Sequence, residues 1–214
     1  MVALRRAEAH EATMATQVEQ ILELHRLTVR SWHAGPIHNP YEGLLAAVCE
    51  QHARNFALWH EEDRARDAAA DNGTIAAVKR SIDTLNQQRN DWIGQVDARI
   101  LDAIRSAGVV QSPGLPMNTE TPGGAIDRLS ILALRIHHLE ELIDPSGGGK
   151  EAQAEIRRRL EICSAQRHDL ATSLKHLLED LFQGRKRMKR YRPLKMYNDP
   201  RFNPYLAGEG RATS

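Results

Sequence analysis

Aromatic side chains make up only 5% of this chain, and cysteine occurs just twice. Cys49 and Cys163 stand far apart with no CxxC partner, which excludes a disulfide framework or a cysteine-based zinc ribbon. Both fall among apolar helix positions, as buried free thiols in a reducing compartment would. Long hydrophobic runs are missing too: none approaches the ~20 residues of a membrane-spanning helix, and the N-terminus lacks the apolar core of a secretory leader. Charge of one sign is also lacking. Against 29 Lys and Arg stand 28 Asp and Glu, so no global field recruits nucleic acid or a membrane surface. The chain shows no strand-like alternation beyond a few residues and no repeat of solenoid period. These absences lead to the expectation of a cytoplasmic protein without membrane insertion, for which nucleic acid is not an expected partner.

Ala, Leu, Arg, Glu and Gln dominate what is present, and these residues favour helix. The spacing predicts an all-α antiparallel bundle of four to five helices, forming a single domain over 1–214. After a flexible stretch over 1–15, Thr16-Gln-Val-Glu19 reads as a capping box opening a first helix. Val18, Ile21, Leu22, His25, Val29 and Trp32 share one face of it. Gly35-Pro36 ends that helix, and Pro40 opens a second that runs to about Asp67. A third spans about Thr74 to Ser106. Residues 108–120 hold too many Gly and Pro for helix and form a crossing loop. Thr121-Pro122 begins a fourth helix ending near Ile143, and a fifth covers about Lys150 to Phe182, closed by Gly184.

Written at heptad spacing, the inward lines turn polar. In the second helix the line is Leu45, Val48, His52, Asn55, Trp59, Glu62, Arg66. In the third, the seam Ile75, Val78, Ile82, Leu85, Trp92, Val96 is flanked by Lys79, Asp83, Asn86, Asn90 and Asp97. In the fourth, Asp127, Ser130, His137 and Glu141 flank Leu129, Leu132, Ile136 and Leu139. Burying such groups is costly unless each finds a partner, and Asn86 and Asn90 contribute nothing as helix formers. Convergence of Glu62, Lys79, Asp83, Asn86, Asn90 and Asp127 on one hydrated cavity is therefore expected. The alternatives are solvent-facing edges, with Lys79 and Asp83 as an ordinary i,i+4 pair, or a buried network that fixes helix register.

Gly123 and Gly124 lie where the fourth helix begins, so backbone N–H groups there are expected to approach an anion, with help from Arg128 or Arg66; the alternative is a plain Thr–Pro helix start with a flexible first turn. Ser146-Gly-Gly-Gly-Lys150 is not a P-loop, because Asp144 and Glu151 occupy its required Gly and Ser/Thr positions. Ten histidines raise a metal site from His52, Glu62, His137 and Glu141. No Glu-x-x-His pair lies on the inward faces, so no metal ligand is assigned, and the cofactor, if any, is left open. The basic segment Arg185–Arg190 follows the last helix, where cations complement the helix dipole. Tyr191, Tyr197, Phe202 and Tyr205 come after it. The tail over 184–214 is expected to pack on the bundle or on a partner, with Tyr197 and Phe202 buried, and a homo-oligomer stays open.

Three boxes resemble the bacterial "domain of unknown function 4254" family: the stretch from Ile75 through Lys79, Asp83, Asn86 and Asn90 to Asp91; that from Glu120 through Gly123, Gly124 and Asp127 to Leu132; and Lys195-Met-Tyr-Asn-Asp-Pro200 with Asn203-Pro-Tyr-Leu206. The resemblance brings no activity with it. It implies a link to assembly of envelope glycans, since members are often encoded beside glycosyltransferases. The resulting expectation is an enzyme or binding protein for a polar anionic small molecule, a phosphorylated sugar or nucleotide-sugar. Asp83, Glu62 and Asp127 would be its acid/base groups. Arg66, Lys79, Arg128, His137, Gly123 and Gly124 would meet the anion, and Asn86 and Asn90 would orient it. Two alternatives stand beside it: a non-catalytic adaptor in such an assembly, and a metal-dependent helical hydrolase. Whether catalysis occurs at all is left open.

Overall fold

The computed structural model describes residues 2–143, 149–191, 201–203 and 205, with side chains from Thr16 onward. Five helices follow in order: α1 (Val2–Ala34), α2 (Gly43–Ala65), α3 (Asn72–Ser106), α4 (Pro122–Glu141) and α5 (Lys150–Phe182). No strand occurs among the described residues, and the chain is an all-α bundle.

Local chemistry sets most of the ends. Asp71 caps α3 by accepting the Thr74 N–H at 2.6 Å, and Thr121 caps α4 through its hydroxyl, with Pro122 at the first position. Gly108 and Gly184 close α3 and α5 with φ of +76° and +68°. There the next residue's N–H reaches back to the helix, Val109 to the Ile104 carbonyl and Arg185 to that of Asp180. Two starts differ from expectation. α1 begins at Val2, so Thr16 and Glu19 lie inside a helix and not at its start; the Ala, Glu and Arg of the preceding stretch are strong helix formers that carry it upstream. α2 begins at Gly43, because Asn39 ties down the residues before it. Its side chain accepts the Tyr41 N–H and donates to Ala46 O and Glu50.

α2 packs most closely on α3 and α4 on α5, giving two hairpins, while α1 lies along α4, α5 and α2. The main core joins Ile21 and Leu24 of α1, Val48 of α2, Val96 and Ile104 of α3, Ile126 and Leu129 of α4, and Leu174 and Leu181 of α5. Each such side chain contributes about 1.5–3 kcal/mol of burial. A smaller cluster, Leu58, Val78 and Ile82, seals the far end of the α2–α3 hairpin. Cys49 is fully buried in the core, and burial pushes its thiol up to about 12; Cys163 is only half-buried. No helix among the described residues is long and apolar enough to cross a membrane.

The segment after α5 docks at its start. Arg187 donates to the Leu115 carbonyl at 3.0 Å, the Met188 N–H donates to Gln111, and Arg190 reaches the Gly94 carbonyl. Arg185 and Lys186 pair with Asp180. Further on the expectation of buried aromatics is corrected at Phe202, which is 58% exposed; Tyr191 and Tyr205 are exposed as well. Tyr197 lies outside the described residues. Arg201 stands over the Phe202 ring, a contact that can form without burial.

Where α4 starts, its backbone meets α3 without room for a side chain. A Cβ on Gly123 would sit 2.6 Å from the Asp97 carboxylate and 2.7 Å from the Ile93 carbonyl, whereas one on Gly124 would press only on the movable Glu120 side chain, at 3.1 Å, and touch the Thr121 hydroxyl at an ordinary 3.5 Å. Gly123→Ala is therefore expected to destabilise the fold by about 1–3 kcal/mol. Gly124→Ala should be near neutral, because the better helix propensity of Ala, up to about 1 kcal/mol, offsets the displaced Glu120. Urea unfolding of both variants checks this, and equal losses would contradict it.

Candidate functional site

Asp127 faces inward from α4 and is 3% exposed. An ionised carboxylate at such a depth requires several donors, and it has them from two other helices. Arg89 of α3 grips it two-handed, with Nε at 2.8 Å from Oδ1 and a terminal N–H on Oδ2. From α2, the Gln51 and Asn55 amides both donate to Oδ1. The second Asn55 N–H donates to Ser130 Oγ at 2.9 Å, and that hydroxyl lies 2.6 Å from His52 Nδ1. Since Ser130 Oγ accepts from Asn55, its own proton is free to go to His52. That bond suits a neutral imidazole. The His52 ring lies 4.6 Å from that of His25, which is fully buried on α1. A polar chain thus runs through the bundle from α1 to Arg89.

At the Arg89 end this chain opens into a cleft of about 540 Å³ between α2, α3 and α4. Asn55, Trp59, Glu62, Asp63 and Arg66 line it from α2, Asn86 and Arg89 from α3, and Ile131, Leu134 and Arg135 from α4. Arg66 is engaged by Glu62 at 3.0 Å and approached by Asp63. Arg89 is held by Asp127, which also keeps its guanidinium firmly protonated. Arg135 has no hydrogen-bond or ion-pair partner among the described residues.

Glu62, Arg66 and Asn86 therefore come together in one cleft, with Asp127 directly behind it. The shared cavity does not include Lys79, Asp83 or Asn90, all exposed. Lys79 donates to Asp83 one turn away at 2.5 Å, so these two form the ordinary helix-surface pair. Arg128 is also on the surface, bound to Glu120. The Gly123 N–H does meet an anion, but an internal one: the buried Asp97 carboxylate accepts it at 2.7 Å. Burial raises the pKa of Asp97, opposed by this bond and one from Thr121. The Gly124 N–H goes to Thr121. His137 sits apart from the cleft, where its ring meets His33 of α1 at 4.6 Å and His138 at 5.5 Å. Among the described residues no three His, Cys, Asp or Glu side chains stand where they could hold a metal ion.

Sequence reasoning missed Arg89, Arg135 and Gln51. For Arg89 the signal was present: the third-helix seam steps from Leu85 to Trp92 and leaves position 89 vacant. Arg135 and Gln51 sit beside their seams and carry no comparable mark.

A family model described as a protein of unknown function, DUF4254, matches residues 45–190. The chain belongs to this family. The matched stretch holds every residue of the Asp127 network except His25, and the whole cleft. No curated protein and no solved structure matches the DUF4254 chain.

Burial pushes His25 down to about 3, and His52 well below its ordinary value. Both are neutral when folded and take up protons near pH 6.5 when unfolded. Their contribution is thus present above that pH and is lost as pH falls toward the folded values, each histidine adding a slope of about 1.4 kcal/mol per pH unit. Unfolding free energies of the wild type and of His25→Leu, measured between pH 7 and 5, should differ in slope by about one proton. Parallel curves would contradict the assignment.

Proposed function

We propose that the α2–α3–α4 cleft binds a polar anionic small molecule of the phosphorylated-sugar or nucleotide-sugar class. The observation that carries this reading is the pairing state of the cleft arginines. Arg66 is neutralised by carboxylates on its own helix. Arg135 is uncompensated among the described residues, and Arg89 is locked in position by a buried carboxylate. Fixing a guanidinium in advance removes much of the ordering cost of binding, since its rotamers are already restricted. An oxyanion lodged against Arg135 and the outward edge of Arg89 would gain charge-assisted hydrogen bonds, with Asn86 and Asn55 bordering the same space.

Within this reading Asp127 is a positioning residue and not an acid/base group, because its lone pairs are spent on Arg89, Gln51 and Asn55. Asp83 lies on the surface outside the cleft. Glu62 is the one acid/base candidate of the original three that faces the ligand space. The arrangement favours binding and orientation, and any proton transfer in the cleft would fall to Glu62.

The exposed aromatics Phe202 and Tyr205 support a second reading, an adaptor that contacts a partner protein through its tail. The two readings separate by experiment. Titration of the full chain with inorganic phosphate and pyrophosphate, followed by amide chemical shifts, should move signals of α3 and α4 around Arg89 and Arg135. Arg135→Ala should weaken binding by roughly ten- to a hundredfold, the loss of one charge-assisted contact. A cleft that responds to neither probe would leave the adaptor as the better reading.

A further inference from the structure

We propose that the cleft between α4 and α5 is the glycosyl subsite for the anion held at Arg135, so that the ligand lies across α4 with its phosphate on the ridge and its sugar ring beyond. This rests on the anion reading of the first cleft. The second cleft, of about 700 Å³, shares two lining residues with the first: Ile131 and Arg135, one turn apart on α4. The two spaces therefore adjoin over a ridge that carries Arg135, the cleft arginine without a partner among the described residues.

The chemistry of the two sides differs. The first side presents three arginines. On the far side, Gln166, Asp169 and Ser173 follow at i, i+3 and i+7 along α5 and form one stripe facing α4. None of these three has a hydrogen-bond partner among the described residues. Beneath them lies an apolar floor of Leu132 and Leu170. The charges that line this side balance, with Glu120 bound to Arg128. A carboxylate, an amide and a hydroxyl above aliphatic side chains suit a neutral polyhydroxylated ring, whose hydroxyls need donors and acceptors and whose C–H face needs apolar contact. Away from the Arg135 ridge a bare anion would find Arg128 already paired with Glu120, and the Asp169 carboxylate would repel it.

The test compares methyl phosphate with a panel of hexose 1-phosphates in gluco, manno and galacto configuration. All are phosphate monoesters, so they differ only in the ring. For the wild type, the best hexose phosphate should bind at least about tenfold tighter than methyl phosphate, the yield of one or two added hydrogen bonds. Asp169→Ala and Gln166→Ala, both on an exposed helix face that tolerates substitution, should abolish this preference and leave methyl phosphate affinity unchanged. Arg135→Ala should weaken both probes alike. If all probes bind the wild type equally, or if the α5 variants leave the preference intact, the glycosyl subsite is overturned while the anion cleft stands. If Arg135→Ala changes nothing, or no probe binds, both fall together.

Discussion

The buried carboxylate of Asp127 is the point on which the arrangement of α2, α3 and α4 depends. An apolar seam alone lets helices slide or rotate by a fraction of a turn at small cost, since hydrophobic contact is non-directional. A carboxylate that must be met by Arg89 from one helix and by Gln51 and Asn55 from another permits one register. Such a network adds little net stability over a well-packed apolar alternative, because desolvation offsets most of the attraction. Its contribution is geometric. Misalignment would strand a charge in the core at a cost of several kcal/mol.

A second buried carboxylate does similar work one helix-end away. Asp97 of α3 takes the Gly123 N–H at the start of α4, where the unpaired N–H groups and positive end of the helix dipole favour negative charge. The absence of a side chain at Gly123 brings the two backbones within reach. Asp97 fixes where α4 begins, and Asp127, one turn further along, fixes how it is rotated. Together they set the direction in which Ile131 and Arg135 project, and hence the ridge between the two clefts.

A bundle of four to five helices, the approximate limits of α5 and the inward lines of α2 and α3 were readable from spacing, caps and glycine positions, because those signals are local. Asn55 and Asp127 were readable as polar groups on inward edges. Their partners were harder to read. Lys79, Asp83, Asn86, Asn90 and Asp97 all sit one position off the α3 seam, an offset of about 100° on a helix wheel. Asn86 and Asp97 face α4 or the cleft while the other three face solvent, and a single helix wheel carries no information on where the neighbouring helix lies. Arg89 stands in the seam itself, at the step between Leu85 and Trp92, where a template of apolar residues passes over a charge. Long side chains weaken such patterns further, since an arginine can place its stem in a core and its head some distance away. The Gly-Gly turn fits both an approaching anion and a plain Thr–Pro helix start, and nothing local in the sequence marks Asp97, 26 residues away, as the group that accepts the Gly123 N–H.

The different fates of the cleft arginines follow from where their counter-charges reside. Arg66 and Glu62 share a helix surface, and such a pair opens and closes easily at a net value of a few tenths of a kcal/mol. An incoming phosphate can displace Glu62 from Arg66 at little cost. Arg89 cannot leave Asp127 without exposing the core charge, so it offers only its outward edge and does not move. Arg135 has no partner among the described residues to give up. If the cleft binds an anion as proposed, one immobile, one exchangeable and one unpaired guanidinium would give it a graded response to ligand charge: a single oxyanion would engage Arg135 and the edge of Arg89, while a second negative group would be needed to draw Arg66 away from Glu62. Diphosphates would then gain more from this cleft than their extra charge alone accounts for, because recruiting Arg66 also frees the Glu62 carboxylate to accept a hydrogen bond from a ligand hydroxyl.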